Sequence, residues 1–456
     1  MIADLGPYPE YKESGLPWLG RVPQHWGQRR MKFLFKERTE KRFPNEPLLA
    51  ATQSKGVVRK EDYRLRTVTA MNGLENLKLV EVGDFVISLR SFQGGIEVSH
   101  ARGIISPAYT VLRPREGFEP RYFEAYFKSA DFISSLTLFV TGIREGQNID
   151  YERLSRAFLP LPPSDEQAAI VRFLQWAKGR LERAIQTKRK VIALLNEQKQ
   201  AIIHRAVTRG LDPSARLKPS GIPWLDDIPA RWGQQALWTL SNLRTERNPG
   251  DLPMLSVFLD RGVIPYDEGG GQVHAPSLDL SNYQVVRQGD LVLNNQQAWR
   301  GSVGVSRYEG IISPAYIVLS LSKRLDAQFA NYLMRSRAMV DQFVAASKGV
   351  GDIQRQIFWP FLRMAQVPIP GMEEQQAIVT HLASATHGID NSLTKLGREI
   401  ELLREYRARL VADVVTGKLD VREAAARLPD EALLDTIEDN ADLTDETETA
   451  EEEAPV

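Results

Sequence analysis

The sequence contains no cysteine in its 456 residues, which excludes disulfides and thiolate metal sites outright. Long apolar runs are also missing, and none approaches the roughly 18 residues of a membrane span. Met1 to Glu10 lack a basic stretch followed by an apolar one, so no signal peptide is expected. These absences set a cytoplasmic expectation. Catalytic signatures are equally scarce. There is no Gly-x-x-x-x-Gly-Lys-Ser/Thr loop for a nucleoside triphosphate. Neither an Asn/Asp-Pro-Pro-Tyr/Phe motif of amino-methyltransferases nor a glycine-rich fingerprint for S-adenosylmethionine is present. A Gly-x-Ser-x-Gly elbow is absent too, and Gly269-Gly270-Gly271 lacks a strand–loop–helix context. His25, His100, His204, His274, His381 and His387 form no His-x-x-x-His or His-Glu-x-x-His pair. No metal site and no catalysis of the chain's own are expected.

Charge is balanced only in total, at 58 basic and 58 acidic residues. From Val421 to Val456 two basic residues, Arg422 and Arg427, face thirteen acidic ones. Removing these leaves 56 basic and 45 acidic residues in 1–420, a net of +11. A basic body points toward nucleic acid. The acidic end, with Glu451-Glu452-Glu453 and almost no aromatics, is expected to be a disordered, solvating tail.

What the sequence does contain, it contains twice. Gly15-Leu16-Pro17-Trp18-Leu19 returns as Gly221-Ile222-Pro223-Trp224-Leu225, a shift of 206. Gly103-Ile104-Ile105-Ser106-Pro107-Ala108-Tyr109 returns as Gly310-Ile311-Ile312-Ser313-Pro314-Ala315-Tyr316, a shift of 207. Glu166-Gln167-Ala168-Ala169-Ile170-Val171 returns as Glu374-Gln375-Gln376-Ala377-Ile378-Val379, a shift of 208. So little drift marks a tandem duplication of one large unit, with the pseudo-two-fold symmetry that duplication implies.

Each repeat opens with a mixed α/β globular part. Phe85–Ser88 and Leu291–Leu293 follow Gly-Asp turns and predict strands, as do Thr110–Leu112 and Ile317–Leu319. Pro120–Ser134 and Asp326–Val344 carry the three- and four-residue apolar spacing of helices. A long helix then begins at Ser164-Asp165-Glu166-Gln167, read as a capping box. Leu174, Leu181, Lys188, Leu195 and Ile202 recur every seven residues, with Ile170, Ala177, Ala184, Val191 and Gln198 as a companion row. Leu382, Ile389, Leu396, Leu403 and Leu410 keep that register in the second repeat. The spacing predicts a coiled-coil seam; a long amphipathic helix on a globular core is the alternative. Such helices are about 60 Å long at 1.5 Å per residue, with stops at Gly210 and Gly417. The expected division is 1–163, 164–210, 211–370, 371–420 and 421–456: two globular domains, each followed by a spacer helix, and then the tail. Packed antiparallel, such helices would hold the two domains at the ends of a rod.

Tyr11-Lys12-Glu13-Ser14-Gly15-Leu16-Pro17-Trp18-Leu19-Gly20 runs on to Val22-Pro23-Gln24-His25-Trp26, and Leu217–Asp226 runs on to Ile228-Pro229-Ala230-Arg231-Trp232. Together with Ile105-Ser106-Pro107-Ala108-Tyr109 and the Pro-x-Pro-x-x-x-Glu-Gln-x-Ala-Ile helix start, these motifs closely resemble the DNA-specificity subunit of type I restriction–modification systems. The resemblance spans about residues 8–420 and leaves out the acidic tail. It implies two pseudo-two-fold-related target-recognition domains separated by a long antiparallel two-helix coiled coil. It implies that each domain reads one half of a bipartite site in double-stranded DNA, with the helices setting the gap. It further implies a chain without catalysis that holds two modification subunits, which carry S-adenosylmethionine and methylate adenine. Restriction subunits using ATP and Mg complete such an assembly.

The two copies differ most between the Phe85–Ser88 strand and Gly103 and in the matching stretch Asn294–Gly301. Arginine suits guanine O6/N7, and asparagine or glutamine suits adenine N6/N7. The candidate DNA-binding residues here are Arg90, Ser91, Gln93, Arg102, Asn294, Asn295, Gln296, Gln297 and Arg300. A second pair of loops adds Arg144, Gln147, Asn148, Lys348 and Gln354, where Gly with Lys or Arg suits a phosphate. Polar surface loops without a partner are the alternative for each. Trp18, Trp26, Trp224, Trp232 and the Ser-Pro-Ala-Tyr steps recur in both copies and are assigned common work, either core or partner docking. Lys188, Arg189 and Lys190 are expected to form a solvated or subunit-facing patch. The rival reading of the whole chain is a non-DNA coiled-coil adaptor joining two protein partners. Salt-dependent DNA binding separates the two readings.

Overall fold

The computed structural model describes residues 5–62, 73–89, 91–141, 148–248, 250–259, 261–268, 279–350 and 354–429, with Thr141, Val350 and Gln354 described in backbone only. The chain forms two compact units, one of Met1–Lys188 with the chain from Arg398, the other of Arg189–Gly397.

Each unit is built on an antiparallel four-stranded sheet of the same order. In the first unit the order is Phe35–Arg38, Thr110–Pro114, Phe85–Ile87, Glu97–Val98. The second has Ser241–Leu243, Tyr316–Leu321, Leu291–Asn294, Val303–Val305. The central strands carry consecutive buried apolar residues, such as Phe85-Val86-Ile87 and Val111-Leu112, because both of their faces are covered. Alternate residues point to opposite faces of a strand. Phe85, Ile87 and Leu112 join the cluster shared with the helices, while Val86 and Val111 join Leu49, Val57 and Ile105 on the other face. The second unit repeats this division, with Leu291, Leu293 and Leu319 on one face and Val292 and Val318 on the other.

The same fixings recur in both copies. The buried carboxylate of each Gly-Asp turn takes a guanidinium across the sheet, Asp84 from Arg38 and Asp290 from Arg244, each with an Nε–Oδ2 distance of 2.6 Å. The glycine that opens each Gly-Ile-Ile-Ser-Pro-Ala-Tyr motif lies against a neighbouring backbone. A Cβ at Gly103 would stand 2.3 Å from the Pro47 carbonyl oxygen, and one at Gly310 would stand 2.4 Å from that of Pro253. Trp26 and Trp232 are fully buried. Trp18 and Trp224 are half-buried, and Trp224 Nε1 donates to Gln342 within its own unit.

Each helix expected at 120–134 and 326–344 is two helices, Pro120–Phe127 with Ala130–Ser135 and Ala327–Met334 with Arg337–Ala345. The breaks fall at buried Ser129 and Ser336, whose hydroxyls donate to the carbonyls three residues back at 2.7 and 2.6 Å. A short polar side chain of this kind offers the backbone an alternative to continuing the helix.

The long helices run Ser164–Arg209 and Met372–Val415. The predicted capping box is replaced by a different use of the same glutamine. Gln167 donates to the Pro162 carbonyl and accepts from the Glu119 amide, both at 2.8 Å. Gln375 likewise donates to Pro370 at 3.0 Å and accepts from the Asp326 amide at 2.8 Å. The preceding glutamate is buried in the first copy, where Glu166 accepts from Tyr8 Oη, from Trp26 Nε1 at 2.8 Å and meets His25 Nε2 at 2.7 Å. Burial, with the bond to Glu166, pushes the Tyr8 phenol well above its ordinary pKa, so it stays a donor. In the second copy Arg231 forks onto Glu374 at 2.7 and 3.1 Å. Both helices end at a left-handed glycine seated on the duplicated tryptophan. Gly210 (φ 72°) lies against Trp232 and Gly417 (φ 79°) against Trp26.

Within the first unit Glu182 pairs with Arg407 and Lys188 with Glu399, so the helices run antiparallel. In the second unit Lys199 pairs with Asp390. Leu174, Leu181, Leu382 and Leu410 are buried, while Leu195, Ile202, Ile389, Leu396 and Leu403 are half-buried, as the open flanks of a two-helix seam require. The companion row departs from expectation. Val191 is 40% exposed and Gln198 is exposed, while Ile185, Ile192 and Lys199 take the packed side. Two successive four-residue steps between buried positions, from Ala177 to Leu181 to Ile185, account for this shift. Lys188, placed in a solvated or subunit-facing patch, is instead an interhelical partner.

Residues 421–428 are not part of the tail expected there. Arg422–Ala426 is a short helix, Val421 and Ala425 belong to the core of the first unit, and Leu428 is buried. Their spacing of four and three makes one apolar face, which a charge count over 421–456 passes over. Residues 430–456 lie outside the described residues. No described helix is long and apolar enough to cross a membrane.

Asp290→Ala removes the buried carboxylate that holds Arg244, leaving it only Glu246 at 3.6 Å, and is expected to lower unfolding free energy by about 2 kcal/mol. Urea denaturation measures this, and a loss under about 1 kcal/mol would mean that the pair does not anchor the turn.

Candidate nucleic-acid interface

The second unit gathers most of its candidate residues. The strand Leu291–Asn294 ends in a turn shaped by its last side chain, since Asn294 Oδ1 accepts the Gln296 amide at 3.1 Å. A single turn of 3-10 helix, Ala298–Arg300, follows and is held by buried Ala298. The hairpin Ser347–Val350/Gln354–Ile357 is pinned to this loop by a 3.0 Å bond from the Ile357 amide to the Asn295 carbonyl. Lys348 and Arg355 are thereby brought to the loop that carries Asn294, Asn295, Gln296, Gln297 and Arg300. Gln296 and Arg300 are exposed and Asn294, Asn295 and Gln297 half-buried; Asn295 Oδ1 is a buried acceptor with no donor among the described residues.

Cations and aromatic rings interleave across this surface. The Arg300 guanidinium lies 4.7 Å from the centre of the Trp299 ring, and that of Arg355 lies 5.6 Å from it. Lys348 Nζ lies 3.6 Å from the ring centre of Phe358 and 4.8 Å from that of Phe361, which is 54% exposed. Such contacts keep a cation at the surface with its hydrogen-bond donors still accessible. Trp299, Phe358 and Phe361 were not among the sequence candidates. An aromatic residue beside arginine in an otherwise polar loop was the available signal for Trp299.

The first unit is built differently at the corresponding place. Ser91 is buried, and its hydroxyl accepts from the Ser88 amide at 2.8 Å, so it shapes the loop. Gln93 is exposed. Arg102 is held by Glu46 at 2.9 Å and by Glu81. Asn148 is exposed and pairs with Thr141 in a short hairpin. Lys128 fastens the loop from behind, donating to the Gly94 carbonyl at 2.9 Å and to buried Glu97. Arg90, Arg144 and Gln147 lie outside the described residues, as does the side chain of Gln354.

Asn294→Ala removes the acceptor that shapes the turn and is expected to cost about 1 kcal/mol, whereas Gln296→Ala stays within about 0.5 kcal/mol. Equal urea midpoints for the two variants would mean that the Asn294 side chain does not build the loop.

No family model matches the chain. The type I restriction enzyme MjaVIII specificity subunit of Methanocaldococcus jannaschii is 26% identical over 293 residues, covering 60% of this chain and 65% of that protein. A putative type I restriction enzyme MjaX specificity subunit of the same organism is 23% identical over 282 residues, covering 60% of this chain and 62% of that protein. The chain thus spans slightly less than two thirds of the length of the curated relatives it matches. A chain solved in a study of complex assembly and conformational transition of the type I R-M system shares the fold, with a TM-score of 0.60 at 16% identity, covering 87% of this chain and 99% of that one. The resemblance read from the duplicated motifs is therefore shared with relatives named as type I specificity subunits.

Proposed function

We propose that this chain is a specificity subunit of a type I restriction–modification complex, reading a bipartite, gapped site in double-stranded DNA with one recognition domain per half. The observation that carries this reading is a common framework with unlike loops. The two units repeat the Arg–Asp pair, the buried tryptophan and the glutamine that seats the long helix. Their divergence lies in the residues displayed between the third strand and its return. Two readers with one frame suit two half-sites of different sequence. Spacer helices would set the gap between halves, and for a two-fold reader a separation of about one helical turn is the geometric expectation.

In this reading the chain itself is not an enzyme. It scaffolds two methylation subunits and the restriction subunits, in the cytoplasm, and S-adenosylmethionine, ATP and Mg act in those partners. On this chain, Arg300 and the amides of Asn294–Gln297 would address base edges, and Lys348 a phosphate. Gln93, Arg102 and Asn148, with Arg90, Arg144, Gln147 and Gln354, remain assigned to DNA on the sequence argument alone.

The test is the salt dependence of duplex binding by the purified chain. A specificity subunit gives a steep linear fall of log K with log salt, and Lys348→Ala reduces that slope by about one. Arg300→Ala is expected to cost about 1–3 kcal/mol at one half-site. Salt-independent retention, or none, would favour the protein adaptor.

A further inference from the structure

From the geometry around Trp299 we infer that this residue is a positioning residue for sequence readout. It orients Arg300 and Arg355 so that the second unit reads guanine within its half-site. The inference rests on the DNA-reading function proposed above.

Three observations fix the arrangement. The indole is held by its own loop, because Trp299 Nε1 donates to the Gln296 carbonyl at 2.7 Å. Two guanidinium groups reach the ring from different segments, Arg300 from the same turn and Arg355 from the hairpin strand Gln354–Ile357. The hairpin and the loop are also joined by the Ile357–Asn295 backbone bond, so the two arginines are not brought together by Trp299 alone. A guanidinium held over an indole is restricted in its rotamers by the ring, and the ring takes up none of the edge geometry that a bidentate contact uses. Fixing those rotamers in advance lowers the ordering cost of a bidentate contact. That contact matches guanine O6 and N7. Arg300 is exposed and forms no ion pair among the described residues. The first unit does not reproduce this device among its described residues. Its loop aromatic, Phe92, packs against the core, and Arg102 is held by two glutamates. The effect should therefore be confined to one half of the site.

The experiment selects bound duplexes from a randomised library with the full-length chain, comparing wild type, Trp299→Ala, Trp299→Phe and Arg355→Ala, with thermal unfolding of each. Wild type is expected to select a two-part site with guanine in one half. Trp299→Ala relaxes that guanine preference about tenfold and leaves the other half unchanged. Trp299→Phe keeps a ring under the arginines and retains the preference to within about threefold, and Arg355→Ala behaves as Trp299→Ala. An unchanged selection profile for a folded Trp299→Ala overturns the inference. So does a uniform loss of affinity with the profile intact, which would mark a phosphate or packing role. A wild-type chain that selects a two-part site without guanine in either half overturns this inference alone. Selection of no DNA overturns the functional reading and this inference with it.

Discussion

The seating of each long helix depends on a single buried amide. Gln167 and Gln375 are 2% and 0% exposed, and each bridges the chain entering its helix to the amide of a helix N-cap in the adjoining globular fold, Glu119 or Asp326. A buried amide that loses either partner leaves a polar group unsatisfied, which costs about 1–3 kcal/mol. The bond therefore fixes where the helix leaves the domain and in which direction. At the other end, the left-handed glycines Gly210 and Gly417 set each helix down on a tryptophan core.

The same economy runs through the globular parts. The features that recur in both copies, the Gly-Asp carboxylate under its arginine, the glycine pressed on a proline carbonyl and the buried indole, belong to the frame. Residues that differ are displayed on loops held by that frame. The second unit sets its cations over half-buried and exposed rings, while the first ties its loop down through Lys128 and Arg102. Two loop surfaces of unlike chemistry thus stand on one duplicated scaffold.

Much of this was legible in the sequence because duplication separates frame from cargo. The strands, the long helices, their glycine stops and the seven-residue seam follow from period and punctuation. Where the reading departed from the structure, a local bond outweighed a pattern. Ser129 and Ser336 divide helices whose apolar spacing continues through them, and Gln167 leaves a capping box for a tertiary partner. The companion row slipped because seven-residue counting carries no information about a four-four step. Val421, Ala425 and Leu428 were hidden by the acidic composition around them. Of the candidate contacts, Ser91 shapes its loop and Arg102 is ion-paired. Trp299 and Arg355 come together only in three dimensions.

The central claim is that one domain reads each half of a gapped site. It is tested most directly by co-expressing this chain with its cognate methylation subunit and mapping methylated adenines across a plasmid library. The account predicts two short defined sequences separated by a fixed unspecified gap, and exchanging residues 12–160 for those of another specificity subunit should change one half only. Methylation at a continuous site, or a change in both halves on exchange, would contradict it.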